Sequence, residues 1–172
     1  MKRIIRWRPA TSTVCAMFVL LASCGPSAEP LDPALDQPAL AKIVSAAKDY
    51  RVRRAAVVRL TDQGLLAKVA ILDTNSKVRT AAVARLTDQR LLATVALEGK
   101  SWDARPAGVL RLADQGMLAK VAQDVQNSRV RALAVMRLTD QRLIATVALT
   151  SKDWDTQAAV LKKLTDQRLL AK

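Results

Sequence analysis

From Leu40 onward the apolar residues fall into short groups with helical spacing, and the groups themselves recur. One group reads Leu65, Leu66, Val69 and Ala70, an i, i+1, i+4, i+5 stripe that defines one face of a helix. The next reads Val78, Ala81, Ala82 and Leu86, again a single face. Helix-starting residues precede each group. Thr-Asp pairs (Thr61-Asp62, Thr87-Asp88, Thr139-Asp140, Thr165-Asp166) open the first helix, where Thr or Asp can accept a hydrogen bond from an orphan amide. Asp49, Asn75, Ser101, Asn127 and Asp153 form a second column of capping residues ahead of the second helix. The connections between helices are about one to five residues long, as antiparallel neighbours require.

The dipeptide Asp-Gln fixes the period. It stands at Asp36, Asp62, Asp88, Asp114, Asp140 and Asp166, every interval being 26 residues. Two amphipathic helices of roughly ten residues cannot bury their stripes alone, whereas stacked pairs can. A longer period lies inside this one. Residues 62–113 and 114–165 are identical at about 30 of 52 positions, and alternate units share Gly64 with Gly116, Lys68 with Lys120, Arg90 with Arg142 and Thr94 with Thr146.

The Val-Arg pairs Val78-Arg79 and Val130-Arg131, followed by small apolar residues, resemble the HEAT-like repeats of bacterial proteins. The Val-Arg and Leu spacing is also similar to that of leucine-rich-repeat variants, in which α-helices alternate with 3₁₀-helices. The resemblance covers residues 36–172 and implies an all-α fold, a right-handed α-solenoid of short two-helix repeats. It implies binding by surface and no particular reaction. Two local features break the pattern. Pro106, followed by Gly108, falls inside the third second-helix and predicts a kink or loosened helix there. The sixth unit stops at Leu169-Leu170-Ala171-Lys172 without a polar capping helix. That end either pairs with another copy or a partner, or its single short helix frays.

The amino-terminal segment has a different character. Residues 1–13 are basic and residues 14–22 form an apolar run of nine. Nine is too short to span a bilayer, which takes about 20, but suits the apolar region of a secretory leader. Leu21-Ala22-Ser23-Cys24 then resembles the lipobox of bacterial lipoproteins. The resemblance implies a leader over 1–23, acylation of Cys24, and a membrane anchored through that lipid. Two or three acyl chains give stable anchoring where one is marginal. By the same resemblance, Gly25 implies export to the outer membrane, with the protein facing the periplasm. The alternative is an ordinary leader cut nearby, leaving Cys24 as a free thiol. Cys15 lies within the leader, so the mature chain keeps one cysteine and no internal disulfide. Residues 24–35, rich in proline, read as the lipidated terminus and a semi-extended tether.

Composition narrows the function. The chain has no histidine, aromatics make up 3% of it, and its formal charge is +13. Setting aside Lys2, Arg3, Arg6 and Arg8 of the leader leaves 24 basic against 15 acidic residues, a surplus of nine that favours acidic partners or anionic lipid surfaces. No nucleophile–base pair, Gly-rich phosphate loop or acidic cluster can be assembled, so neither catalysis nor a cofactor or metal is expected. Nucleic acid is disfavoured as a partner, because the leader removes the chain from the cytoplasm.

Read by columns, the repeats put every aromatic of the mature chain in one register. Tyr50, Trp102 and Trp154 alternate there with Ser76 and Ser128, about 20 Å apart at the ~10 Å per unit expected of packed helices. They are either anchors for a partner or staples at helix starts. Arg53, Arg79, Arg105 and Arg131 form one basic column, broken by Gln157. Arg59, Arg85, Arg111, Arg137 and Lys163 form another, three residues ahead of Asp62, Asp88, Asp114 and Asp140, and predict an Arg/Asp ladder between units. Arg90, Arg142, Arg168, Lys68 and Lys120 are expected to face solvent, the first three as candidate binding residues. The function expected is a membrane-anchored scaffold that binds another envelope protein. A basic binder of polyanions or anionic lipid, and a purely structural envelope role, are the alternatives.

Overall fold

The computed structural model describes residues 31–164 apart from Lys152. The leader, Cys24, and the sixth unit from Asp166 with Arg168 lie outside the described residues. Among the described residues every regular element is an α-helix. The first helices of the five units are α1 (Gln37–Ala46), α3 (Gln63–Leu72), α5 (Gln89–Glu98), α7 (Gln115–Asp124) and α9 (Gln141–Thr150). The second helices are α2 (Tyr50–Arg59), α4 (Ser76–Arg85), α6 (Ala104–Arg111), α8 (Ser128–Arg137) and α10 (Trp154–Lys163).

The helix starts follow from capping chemistry. In the first helices the aspartate of Asp-Gln accepts amide N–H groups two or three residues on. Asp36 takes that of Ala39, Asp62 that of Leu65 and Asp114 that of Met117, while Asp88 and Asp140 each take two. In the second helices Asp49, Asn75, Asn127 and Asp153 do the same for Arg51, Lys77, Val130 and Thr156. Each second helix ends at a leucine (Leu60, Leu86, Leu112, Leu138 or Leu164) in extended backbone. Four of these, Leu60, Leu86, Leu112 and Leu138, are buried, so the residue that stops the helix also anchors its end.

The two helices of a unit pack on one another. Second helices pack on second helices along the whole series, and first helices on first helices from α3 to α9. The chain therefore has a helical repeat-like all-α architecture in two rows. The core runs between the rows: Leu66, Val78, Leu86, Leu92, Leu118, Leu138 and Ile144 are all essentially inaccessible. Each such side chain contributes about 1.5–3 kcal/mol by leaving water. Four of the five second helices carry a small buried residue at one register position, Ala56, Ala82, Gly108 and Ala134, where α10 has Val160. At Gly108 a Cβ would sit 3.1 Å from the Leu92 carbonyl and 3.3 Å from the Ala96 nitrogen.

The third unit corrects two expectations. Ser101 does not cap a helix, because α6 begins at Ala104, two residues later than its counterparts, behind Asp103, which makes no side-chain capping bond. Pro106 consequently sits in the first turn of α6, not in its interior, and no kink is needed. Amides in the first turn have no intrahelical acceptor, so the missing proline N–H costs no bond.

Candidate functional site

The sequence columns turn out to be mostly architectural. Arg53, Arg79, Arg105 and Arg131 reach back to carbonyls left open at the end of their own unit's first helix. Arg53 Nη1 donates to Ala47 O at 3.0 Å, Arg79 Nη1 to Asp73 O at 2.8 Å, Arg131 Nη2 to Val125 O at 2.7 Å, and Arg105 Nε to Gly99 O. Gln157, the apparent break in the column, makes the same bond to Ser151 O at 3.3 Å.

Three of these arginines also reach forward to a carboxylate of the next unit: Arg53 to Asp73, Arg79 to Asp103 and Arg131 to Asp153. Burial alone pushes the Asp73 carboxyl up. The hydrogen bonds from Arg53 and the Asn75 N–H, with the charges of Arg53 and Arg79, outweigh it and hold the group below the usual carboxylate range. Asp153 is likewise pushed up by burial and brought lower overall by Thr156 and Arg131.

The expected Arg/Asp ladder is replaced by a different stitch. Arg59 donates to the carbonyls of Asp32, Pro33 and Leu35 at 2.7, 2.7 and 3.2 Å. Arg111 donates to Leu86 O at 3.1 Å, Arg137 to Leu112 O at 3.0 Å and Lys163 to Leu138 O at 3.1 Å; Arg85 holds the equivalent place on α4. For Arg111, Arg137 and Lys163 the acceptors are carbonyls at the end of the preceding second helix, and for Arg59 they lie in the segment ahead of α1. Asp62, Asp88, Asp114 and Asp140 are occupied instead with the amides of their own helices.

The glutamine of Asp-Gln, to which no role attached in the sequence, links one unit to the next. Gln63 Oε1 accepts from Thr87 N at 2.8 Å while its Nε2 donates to Arg85 O at 3.4 Å. Gln37, Gln89 and Gln115 accept in the same way from Thr61, Ala113 and Thr139. The signal for this role was present, since glutamine recurs at all six repeats of the dipeptide.

What remains for recognition includes large apolar side chains exposed on the second helices and in the turn ahead of α6. Trp102 is 86% and Trp154 79% exposed, and Val58, Leu110 and Met136 are also large apolar residues in the open. Trp102 stands in the turn ahead of α6, while Pro106 and Leu110 lie within that helix at i and i+4. Tyr50 behaves differently. It is half-buried and packed against the core, with Arg51 and Lys77 lying 5.9 and 5.8 Å from its ring centroid. The aromatic column thus divides into one packed residue and two exposed ones. Arg90 and Arg142 are exposed as expected, but at the start of α5 and α9. The tryptophans follow the far ends of those helices, about 15 Å away along ten residues, so the structure does not bring the two groups into one patch.

Beside Tyr50, a cleft of about 470 Å³ between α2 and α4 is lined by Arg54, Lys77, Thr80 and Ala81. The hydrogen bond from Arg51, then the charges of Lys77 and Arg51, draw the Tyr50 hydroxyl below its ordinary range. That is the signature of a locally positive potential.

Among the described residues no cluster of His, Cys, Asp or Glu could hold a metal ion, and no helix is long and apolar enough to cross a membrane. Comparison with protein families, curated proteins and solved structures finds no match to the chain.

Proposed function

We propose that the chain is a lipid-tethered protein of the bacterial cell envelope, without catalytic activity, whose repeats form a right-handed, HEAT-like α-solenoid that binds another envelope protein. The observation that carries this reading is the exposure of Trp102, in the turn ahead of α6, and Trp154, at the start of α10. Tryptophan dominates many protein interfaces, and two such side chains left in water serve no packing purpose in the monomer. The lipobox-like Leu21-Ala22-Ser23-Cys24 supports anchoring through Cys24, and Gly25 supports the outer membrane, facing the periplasm, as its site. Leu149 and Leu161, 81% and 66% exposed, offer a second apolar surface at which another copy would pack.

The test is crosslinking in cells from photoreactive residues placed at positions 102 and 154. The expected product joins the chain to a different envelope protein through both positions. Recovery of self-crosslinks alone would remove the scaffold reading. For the anchor, Cys24→Ala is expected to abolish incorporation of labelled fatty acid, and persistence of the label would overturn it.

A further inference from the structure

The cleft between α2 and α4 has a chemistry that the protein-binding reading leaves unused. Arg54 and Lys77 line it with Thr80, whose hydroxyl donates to the Ser76 carbonyl, and Arg51 and Lys77 both lie against the Tyr50 ring. No carboxylate lines it. Of the acids nearest in sequence, Asp49 is engaged in capping α2 and Asp73 is paired with Arg53. By contrast, Arg53 and Arg79 on the same two helices are each paired with an aspartate. Arg54 and Lys77 form no ion pair among the described residues.

The position of the cleft says what would fill it. Arg59, on α2, holds the carbonyls of Asp32, Pro33 and Leu35, so the chain leaves for its amino terminus directly from the helix that forms one wall. Eight residues separate Asp32 from Cys24 and cannot span more than about 29 Å. If the lipid tether proposed above holds, the cleft is confined close to the bilayer that carries the anchor.

We infer that Arg54 and Lys77, with Arg51 nearby, form a docking site for the phosphate of an anionic phospholipid in that bilayer. Cations at an anionic membrane surface strengthen attraction by about fivefold each. The site would orient the tethered chain, fixing the first two units against the membrane while the units bearing Trp102 and Trp154 extend away from them.

The experiment uses the full-length protein, acylated and purified from membranes, with Ala84→Cys on α4 carrying a nitroxide label. It is reconstituted into vesicles of phosphatidylcholine, with or without phosphatidylglycerol. Flotation with phosphatidylcholine vesicles alone reads the tether, and a chain that fails to float there sinks the anchor and this inference with it. Where the chain floats, accessibility of the label to a water-soluble relaxing agent reads the cleft. The expected result is a several-fold fall in accessibility when phosphatidylglycerol is present, reversed by Arg54→Glu with Lys77→Glu. Equal accessibility in both vesicles would overturn the inference, as would protection that survives the charge reversal. Protection conferred equally by inorganic phosphate on phosphatidylcholine vesicles would show a soluble anion site and overturn the membrane assignment.

Discussion

Arg79 holds Asp103 with a fork, Nη2 to Oδ1 at 2.9 Å and Nε to Oδ2 at 3.2 Å, while its Nη1 donates to the Asp73 carbonyl at 2.8 Å. One side chain thereby closes the end of α3 and ties α4 to the third unit. Both partners are largely shielded, with side chains 10% and 8% exposed. Removing one member of a shielded pair leaves the other charge uncompensated, at about 3 kcal/mol. Arg79→Ala is therefore expected to lower the urea midpoint of helix unfolding by that equivalent. Arg79→Lys should rescue little, because an ammonium cannot make the fork. An unchanged midpoint in Arg79→Ala would contradict the assigned role.

Acid should weaken the same seams. Asp73 is held below the usual carboxylate range in the fold, whereas an aspartate in an unfolded chain titrates near ~3.9. A lowered folded value means that the stabilisation is fully present above the unfolded value. It is lost as pH falls through the folded one. Thermal stability should thus be level near neutrality and fall below about pH 4. Asp73→Asn should be less stable at neutral pH and show a shallower acid decline, which melting curves across that range would measure.

Gln63 makes two bonds across a unit boundary, accepting from Thr87 N and donating to Arg85 O. Gln63→Ala should cost about 1–2 kcal/mol, from the net worth of two hydrogen bonds. The loss should be local as well as global. Hydrogen exchange at the Thr87 amide is expected to rise relative to that at Thr139, whose glutamine partner Gln115 is intact.

The divided aromatic column predicts divided consequences. Trp102→Ala and Trp154→Ala remove side chains that lie mostly in solvent and should shift stability by no more than about 0.5 kcal/mol. Tyr50→Ala removes a half-buried ring packed on the core and should cost more than either. Thermal melts of the three variants check this. A large loss in either tryptophan variant would make that residue part of the packing and leave the proposed partner surface without its anchor.

Gly99 ends α5 in a buried position where a Cβ would lie 2.6 Å from the Val95 carbonyl oxygen. Real side chains essentially never approach a backbone oxygen so closely, and the helix terminus must shift to relieve the contact. Gly99→Ala should destabilise by about 1–3 kcal/mol, the range for forced overpacking. The bond from Arg105 to the Gly99 carbonyl should loosen with it. Urea unfolding, with hydrogen exchange over α5 and α6, would detect both effects.

The repeat register, the helix types and nearly all helix starts could be read from the chain alone, because they depend on local interactions. Caps act within three residues, as Asp62 does on Leu65, and amphipathic stripes repeat every turn. Pro106 misled only because its effect depends on where the helix begins, and that is decided by Ala104 and Asp103 rather than by the register. The ion pairs were hidden for a related reason. Arg53, Arg79 and Arg131 share one column, but Asp73, Asp103 and Asp153 come from three different places in the unit. Column reading therefore favoured Arg59 and its neighbours beside Asp62, where spacing was regular but every carboxylate was already engaged by an amide. Only packing helix on helix decided which charges meet, which aromatics stay in water, and that Arg54 and Lys77 face one cleft. Those outcomes depend on distances between residues about 20–25 apart in the chain, which are set by how the core leucines and alanines fit.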